Sequence, residues 1–381
     1  MRSAAQLSLA LRCALAFPAA VAAQALARPA FPPGIQPLYR EIGDWIIVCD
    51  NTRQCVAKYL LGDHDGDTNP YDEDAGIVIA RGAGPAGDLT VDVTAGSSFD
   101  PNTIRIDDAM PRRRPKWERF DENRGASIDD VDALSFVREM RDAKTVSWSG
   151  KSRGSRVPLR GLAAVLIAMD EAQGRIGNVS ALGRPGPRSA TTTPAPILPP
   201  TVTQGPKPSP LAKPDALARS VRRLQGPVLA AHDCDREAGV GDSADPLDAS
   251  SAIVLLGCGR FAYQTSVLAF IVPRADPGKA RLLMLPDPLP SAPQDSESRG
   301  EYVEGSYDAA NRVFGQYAKG RGMADCGSAQ EWTYDGANFH LSSYTLQQRC
   351  GGGSGDWPTL FRTRMQPSFR NLKSGSTPSA R

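Results

Sequence analysis

The sequence predicts an α+β, β-rich protein, with an antiparallel sheet domain that carries two helices, followed by a mostly β meander domain. Three observations support this class. Short β-branched segments alternate apolar and polar residues between Gly and Pro turns, two segments in the first half have helical periodicity, and a proline-rich stretch separates the halves. At 381 residues with 41% hydrophobic composition, the chain is long enough for two domains with their own cores.

The N-terminus has the pattern of a secretory signal peptide over residues 1–27. Arg2 and Arg12 precede an apolar run from Cys13 to Ala23, and small residues suited to cleavage follow. This run of about 11 residues is shorter than the roughly 20 that a membrane-spanning helix needs, and no later segment is long and uncharged enough. We therefore expect a periplasmic or secreted protein without a transmembrane segment.

Loss of the signal peptide leaves the chain without net charge. Removal of Arg2 and Arg12 lowers the basic residues from 44 to 42, which equals the 42 acidic residues. A near-neutral chain has no global field that attracts nucleic acid or an anionic membrane, so a nucleic-acid partner is not expected.

The first domain is predicted over residues 38–182. Gly and Pro turns separate four segments rich in β-branched residues, at 45–49, 76–81, 88–93 and 103–107. Helical periodicity follows at 128–141 and 159–175, and Gly174 and Gly177 are natural helix stops. A last strand is predicted at 178–182.

Residues 183–215 contain ten prolines and scarcely any large apolar side chain, which predicts an extended linker. The second domain is predicted over 216–366. It begins with a short helix that Asp215 caps and that ends at Leu224, before Gly226 and Pro227. Strand-like segments follow at 252–258, 262–272, 280–286, 301–319, 331–350 and 357–365, with a hairpin turn at Asp335-Gly336. A disordered tail is predicted over 367–381.

Six cysteines remain in the mature chain, and their even number in an exported protein indicates disulfides. They are Cys49, Cys55, Cys234, Cys258, Cys326 and Cys350. Fifteen pairings are formally allowed. The last four cysteines form two pairs with the same separation of 24, each second member precedes a Gly, and the linker isolates the first two. We therefore expect sequential pairing.

The first two cysteines frame a short polar stretch, which raises the question of a redox or metal site. Five residues separate Cys49 from Cys55 after a predicted strand, whereas a redox dithiol usually has two intervening residues beside a helix N-terminus. A zinc clasp needs four Cys or His ligands, and the chain has three histidines. A structural disulfide is the favoured interpretation.

Five short motifs carry a family resemblance. They are Gly43-Asp44-Trp45, the segment Cys49 to Cys55, Ala168 to Arg175 (AMDEAQGR), Gly320 to Gly327 (GRGMADCG) and Trp357-Pro358. These motifs resemble the bacterial secreted proteins grouped as domain of unknown function 1176, over nearly the whole mature chain. The first domain is more distantly similar to the invasion-associated locus B proteins, which are exported β-rich proteins linked to host-cell entry. The resemblance implies six cysteines but no catalytic residues, and it does not extend to the acidic stretch at 63–74 or to the linker.

Three surfaces are candidate binding sites. The basic segment 112–117 contains Arg113 and Lys116 and would contact an anion, unless it is only a solvated loop. Arg53 lies on the turn that the first disulfide stiffens, where it could contact a partner. The alternative is that the polar side chains of this turn only form hydrogen bonds with its own backbone. Arg321 would form a third surface with Trp332 and Trp357, unless both indoles belong to the sheet core.

An acidic loop is the one candidate metal site. Its residues Asp63, Asp65, Asp67 and Asp74 overlay the first, third, fifth and twelfth positions of a calcium-binding EF-hand loop. Thr68 occupies the position that needs Gly, so a solvated loop is the favoured interpretation. Calcium is the only cofactor that the sequence indicates.

No catalytic residue is assigned. Gly150 to Gly154 has the form G-x-S-x-G, but no helix follows Ser152, as a nucleophile elbow requires. His232 and His340 are isolated, and Asp170 and Glu171 point about 100° apart on a helix, which favours a polar helix face. We expect a non-catalytic binding protein whose partner is an envelope component or another protein. The alternatives are a periplasmic hydrolase with a site between the domains, and a redox protein with one reducible cysteine pair.

Overall fold

The computed structural model describes residues 36–60, 75–150, 154–234, 241–285, 300–351 and 356–366. The predicted signal peptide, the acidic loop from Asp63 to Asp74, Ser152 and the predicted tail lie outside these residues. Their predictions therefore stay predictions.

Up to residue 182, the described residues form ten strands and two α-helices. The strands are β1 (Leu38–Ile42), β2 (Trp45–Cys49), β3 (Cys55–Tyr59), β4 (Gly76–Arg81), β5 (Leu89–Thr94), β6 (Arg105–Ile106), β7 (Glu118–Phe120), β8 (Gly125–Asp129), β9 (Thr145–Trp148) and β10 (Ser155–Pro158); the helices are α1 (Asp130–Arg141) and α2 (Leu162–Gln173).

Seven of these strands form an antiparallel sheet in the order β1-β2-β3-β4-β5-β8-β7, and β10-β9-β6 form a smaller one. Both helices cover one face of the larger sheet. Strand β5 alternates buried and half-buried residues, as expected for a strand with one covered face. All five residues of β2 are buried, because Trp45 and Ile47 face the helices while Ile46 and Val48 face the second half of the chain.

Both predicted helices form, with shifted boundaries. α2 begins after Gly161 and ends at Gly174, whose positive φ of 69° places it in the left-handed conformation typical of a helix C-terminus. α1 starts two residues later than predicted, since Ile128 pairs with β5. The strand predicted at 178–182 is wrong. The segment turns instead, and the Asp170 carboxylate takes the backbone N–H groups at 182–184.

Beyond residue 182, the described residues form twelve strands and two α-helices. They are β11 (Thr201–Thr203), α3 (Pro214–Leu224), α4 (Gly226–Ala231), β12 (Ser243–Pro246), β13 (Ser251–Arg260), β14 (Thr265–Pro273), β15 (Arg281–Leu282), β16 (Glu301–Val303), β17 (Ser306–Asp308), β18 (Val313–Lys319), β19 (Gly327–Tyr334), β20 (Phe339–Gln347), β21 (Thr359–Arg362) and β22 (Arg364–Gln366).

Two five-stranded antiparallel sheets make up most of this half. One has the order β12-β13-β14-β15 with β16 also paired to β14, and the other is the meander β17-β18-β19-β20-β21. They pack face to face through apolar residues such as Leu255, Phe314 and Trp332, while α3 covers the far side of the first sheet. The hairpin predicted at Asp335-Gly336 joins β19 to β20. The predicted α+β, β-rich class is confirmed.

Two details of the second half differ from the prediction. α3 begins at Pro214 with Lys213 at the N-cap, so Asp215 lies in the first turn and does not cap the helix. Gly226 and Pro227 start α4 as well as ending α3, because Pro is well tolerated in the first turn of a helix, where its missing N–H has no intrahelical partner.

The proline-rich residues 183–215 run along the surface of both halves. Pro194 and Pro196 pack against Gly174 and Gly84, where a Cβ atom would lie within 3 Å of each proline ring. Farther on, β11 pairs in parallel with β22. The halves also meet through an apolar cluster of Ile46, Val48, Leu60, Tyr344, Leu346, Leu360 and Phe361. The domain boundaries stay a prediction.

The six cysteines form three disulfides in sequence order. Cys49–Cys55 closes the turn between β2 and β3, Cys234–Cys258 ties the end of α4 to β13, and Cys326–Cys350 links the β19–β20 hairpin across its open end. Among the described helices, none is long and apolar enough to cross a membrane.

Candidate anion-binding groove

The basic loop identified in the sequence lies along the outer face of α1. The Nε atom of Arg113 lies 2.6 Å from one carboxylate oxygen of Asp132, whose other oxygen accepts a hydrogen bond from the backbone N–H of Lys116 at 3.0 Å. Two turns along the helix, the Glu139 carboxylate accepts from the backbone N–H of Arg112 at 3.0 Å. Acidic residues of α1 therefore fix the path of the basic loop.

The loop is also anchored by an aromatic contact. The half-buried indole of Trp117 packs edge-on against Phe136 of α1, with ring centroids 5.4 Å apart, and Phe136 belongs to the core.

The hydrogen bond from Lys116, together with the charge of Arg113, holds the pKa of Asp132 below its usual range. This carboxylate therefore stays ionised at neutral pH.

Two further arginines come from the last turns of α1. The Nη2 atom of Arg138 donates to the carbonyls of Val179 at 2.6 Å and Ala181 at 2.7 Å. Arg141, one turn on, donates from Nε to Asp142 at 2.8 Å, and this contact raises the pKa of Arg141. Positions three apart share a helix face, so both side chains lie on the side of α1 that faces residues 179–183.

Loop and helix together enclose a groove of about 530 Å³. Its lining residues are Arg112, Arg113, Val131, Leu134, Ser135, Arg138, Glu139, Arg141 and Asp142. Four of these are arginines and two are acids, so the groove carries a net positive charge. The guanidinium of Arg112 makes no ion pair with any described residue, and it is free to meet a ligand.

The residues that line the groove are suited to binding an anion. Guanidinium groups donate two parallel hydrogen bonds to carboxylate, phosphate or sulfate oxygens. The helical wall from Val131 to Asp142 is about 17 Å long at 1.5 Å per residue, which fits an elongated ligand. Ser135 is the one hydroxyl among the lining residues, and no histidine lies among them.

The turn between β2 and β3 is held by hydrogen bonds within the turn and by polar contacts with the second half of the chain. The Oδ1 atom of Asp50 accepts from the backbone N–H groups of Thr52 at 2.8 Å and Gln54 at 3.0 Å, and Oδ2 lies 2.6 Å from Nε of Arg362. The Asn51 amide exchanges hydrogen bonds of 3.0 and 2.9 Å with the backbone of Arg362. These side chains therefore join the two halves.

Arg53 occupies the left-handed backbone conformation of that turn, with φ of 69°. Its carbonyl accepts a hydrogen bond from Nε2 of Gln173 at 2.9 Å. Its Nε atom is enclosed and donates to no described group. The residue is half-buried in the fold, and contact with a partner stays a prediction.

The third candidate surface is mostly internal. Arg321 donates from Nε to the carboxylate of Asp325 at 2.7 Å, which holds the pKa of Asp325 below its usual range. Trp357 is buried and stacks on Tyr317 at 4.6 Å, and Trp332 is buried between the sheets of the second half. The tryptophans thus belong to the packed interior, which is the alternative that the sequence left open.

The two histidines lie on different elements. Nε2 of His340, on β20, lies 2.6 Å from the carboxylate of Asp335 on the same hairpin. His232 caps α4, and its enclosed Nδ1 atom bonds to no described group. The polar helix face proposed for Asp170 is wrong, since Asp170 is fully buried and only Glu171 is exposed.

The family motif from Ala168 to Arg175 builds a buried polar network. Nε2 of Gln173 donates to the carbonyls of Arg53, Arg81 and Gly82. Arg175 donates from Nε to Oε1 of Gln173 at 2.8 Å and from Nη2 to the carbonyl of Gly82 at 3.3 Å. This network ties the end of α2 to the turn between β2 and β3 and to the end of β4.

The described residues contain one group of potential metal ligands, Asp325, Cys326 and Cys350. Both sulfurs belong to a disulfide, so neither is a thiolate that could bind a metal. The calcium ligands proposed from the sequence, Asp63, Asp65, Asp67 and Asp74, lie outside the described residues.

Sequence analysis missed Arg138 and Arg141. The local signal was a pair of basic residues three apart near the end of a predicted helix. Their role depends on the loop at 112–117 lying against α1, and β7 and β8 separate the loop from the helix in the chain.

Comparisons with known proteins give a family but no activity. A family model described as "Protein of unknown function (DUF1176)" matches residues 39–364. The uncharacterized protein YpfG of Escherichia coli (strain K12) is 27% identical over 343 residues, which cover 86% of this chain and 94% of that protein. The crystal structure of invasion associated protein b from Bartonella henselae matches 35% of this chain and 96% of its own, at 12% identity. Its TM-score of 0.24 supports no argument.

Proposed function

Because the chain belongs to the DUF1176 family of proteins of unknown function, no established activity guides the assignment, and we propose a non-catalytic binding protein of the cell envelope whose groove on α1 binds an anionic polysaccharide. One observation carries the proposal. Four arginines from a loop and a helix line one elongated groove, with a free guanidinium at Arg112.

Export rests on two features of the chain. The three disulfides fit a protein of the periplasm or the cell exterior, where thiols are oxidised. The N-terminal residues have the charge and apolar pattern of a signal peptide. A protein exported in this way meets envelope polymers, many of which present repeated carboxylate or phosphate groups.

The charge distribution favours a local contact. The mature chain is near neutral, so attraction to an anion comes from the groove and falls off over about 8 Å at physiological ionic strength. Exposed ion pairs contribute about 0.2–1 kcal/mol each. Tight binding therefore requires several contacts at once. A polymer with repeated charges supplies them, and a single small anion does not.

Calorimetric titration with a carboxylated polysaccharide, such as alginate, tests the proposal. We expect binding at low salt that weakens as salt is added. The double variant Arg112→Gln/Arg113→Gln should weaken binding about 2- to 30-fold, from two contacts of about 0.2–1 kcal/mol each. The matched control, Arg40→Gln/Arg124→Gln, removes the same charge from exposed positions outside the groove.

Equal weakening by both double variants, or no binding by the unmodified protein, would refute the groove as the site. The alternative of a periplasmic hydrolase with a site between the halves is checked with the same polymer. Release of reducing ends by the purified protein would support that alternative over simple binding.

A further inference from the structure

Three large apolar side chains are exposed at one end of the two packed sheets of the second half. Phe261 and Tyr263 lie in the turn of the β13–β14 hairpin and are 53% and 43% exposed. Met323 lies in the loop between β18 and β19 and is 66% exposed. Single exposed apolar residues need no explanation, but a group of them marks an interaction site.

Contacts between the hairpin turn and the loop bring these side chains together. A Cβ atom on Gly322 would lie 3.5 Å from the ring of Tyr263, whose hydroxyl donates to the carbonyl of Gly320 at 3.3 Å. The Lys319 ammonium lies 5.7 Å from the centre of the same ring and donates to the carbonyl of Tyr263 at 2.9 Å. The two segments therefore form one surface, which we call the aromatic tip and which comprises residues 260–264 and 319–323.

Two disulfides hold the aromatic tip in place. Cys258, which pairs with Cys234, precedes Phe261 by one short step of chain, and Cys326 follows Met323 at the same spacing. The loop also packs on the second disulfide, since a Cβ atom on Gly320 would lie 2.6 Å from Sγ of Cys326. A surface that is held rigid loses little conformational freedom on binding.

Several polar backbone groups of the aromatic tip already have partners within the protein. The N–H of Phe261 donates to the carbonyl of Gln264 at 2.8 Å, and the N–H of Gly320 donates to the carbonyl of Cys326 at 2.9 Å. The side-chain amide of Gln264 accepts from the N–H of Lys319 at 3.0 Å and donates to its carbonyl at 3.4 Å. Paired backbone groups lower the cost of moving the tip out of water.

Basic residues border the apolar ones. Arg260 is exposed, and neither it nor Lys319 makes an ion pair with a described residue. The two acids that contact these segments are engaged, because Glu304 accepts a hydrogen bond of 3.2 Å from a hydroxyl of β14, and the buried Asp325 pairs with Arg321. The exposed surface of the tip is therefore apolar with a positively charged border.

The size and chemistry of the tip favour a lipid surface over a protein partner. A stable protein interface takes about 20–30 residues from each side, and the tip consists of two short segments. Tyr and Lys side chains combine an apolar body with a polar end, which suits the boundary between lipid and water. Burial of apolar side chains and attraction of cations to anionic lipids strengthen such a contact together.

We propose that the aromatic tip docks this protein on an anionic bilayer surface. Phe261, Tyr263 and Met323 enter the boundary between headgroups and acyl chains, and Arg260 and Lys319 meet the lipid phosphates. The attraction is local, so it does not depend on the net charge of the chain. It also does not rest on the groove on α1, and polysaccharide binding and membrane docking can each fail without the other.

Sedimentation with lipid vesicles tests the docking. The unmodified protein should bind vesicles of equal parts phosphatidylglycerol and phosphatidylcholine, and bind more weakly to phosphatidylcholine alone. The variant Phe261→Ser/Met323→Ser should lower the partition coefficient about 10- to 100-fold, because two half-exposed apolar side chains no longer leave water. The matched control, Leu198→Ser/Leu224→Ser, removes two exposed apolar side chains outside the tip and should bind like the unmodified protein.

The charge contribution has its own variant. Arg260→Gln should weaken binding to the anionic vesicles about fivefold and leave binding to phosphatidylcholine unchanged. Added salt should weaken binding of the unmodified protein to the anionic vesicles in the same way. If Phe261→Ser/Met323→Ser does not fold, Arg260→Gln still tests the same surface.

Two results would overturn the proposal. The first is an unmodified protein that binds neither kind of vesicle, which would assign the tip to a protein partner. The second is equal weakening by Phe261→Ser/Met323→Ser and by its control. The groove variant Arg112→Gln/Arg113→Gln should bind vesicles like the unmodified protein, and its failure to do so would also contradict docking through the tip.

Discussion

Replacement of Asp170 by Asn should destabilise the protein more than any other single charge removal on α2. The change keeps the side-chain size but turns one carboxylate oxygen into an NH₂ donor. Two oxygens now accept three backbone N–H groups, from Leu182, Gly183 and Arg184. In Asn, the amide oxygen can keep the two bonds to Gly183 and Arg184, and the NH₂ group then faces the buried N–H of Leu182 without an acceptor.

The structure sets the size of this effect. An unsatisfied buried donor costs about 1–3 kcal/mol, and two bonds that change from a charged to a neutral acceptor lose about 0.5–1.5 kcal/mol each. The expected loss is therefore about 2–6 kcal/mol. For a domain of 150–250 residues, each kcal/mol lowers the unfolding temperature by roughly 2–4 °C, which gives a drop of at least about 4 °C by calorimetry.

Glu171→Gln is the matched control, because it removes the same charge from the neighbouring, exposed position on α2. It should change the free energy of unfolding by less than about 0.5 kcal/mol. Equal unfolding temperatures for Asp170→Asn and Glu171→Gln would refute the reasoning, since the three backbone contacts would then contribute nothing to stability.

Two further predictions concern the disulfides and alkaline pH. Peptide mapping without reduction should recover only the sequential pairs, and a crossed pair would contradict this assignment. Chain entropy predicts that removing Cys234–Cys258 by Ser substitution lowers the free energy of unfolding by about 3.4 kcal/mol, against about 2.2 kcal/mol for Cys49–Cys55. Burial raises the pKa of Tyr302 to about 12, above the value of about 10 in the unfolded chain. The stabilisation that this shift adds to the free energy of unfolding is therefore complete below pH 10 and is lost as the pH rises from 10 towards 12. Tyr302→Phe should therefore remove about 1.4 kcal/mol per pH unit from the decline of unfolding free energy above pH 10. Equal slopes for this variant and the unmodified protein would contradict the assignment.

The local pattern of apolar and polar residues predicted the strands and helices whose buried face is visible in their own sequence. Strands β4 and β5 alternate around an apolar face, and α2 has apolar periodicity that stops at a Gly with positive φ. The segment 178–182 was predicted as a strand, but a carboxylate from α2 takes the backbone donors at its end. A partner ten or more residues away leaves no mark on local propensity.

The candidate site was predictable in part for the same reason. Arg113 and Lys116 adjoin in the chain, so the sequence revealed them as one basic segment. Arg138 and Arg141 join that segment only through the packing of α1 beside the loop. Burial of Trp332 was ambiguous, because tryptophan is enriched both in cores and at interfaces.

The two-sided burial of β2 has a consequence for the order of assembly. Its outward residues Ile46 and Val48 are covered by Leu360 and Phe361, about 300 residues later in the chain. At synthesis rates of about 5–20 residues per second, this cover arrives some 15–60 s after the strand itself. During that interval one face of an apolar strand lacks its cover, so the newly made chain is prone to aggregation until its last strands pack over its first.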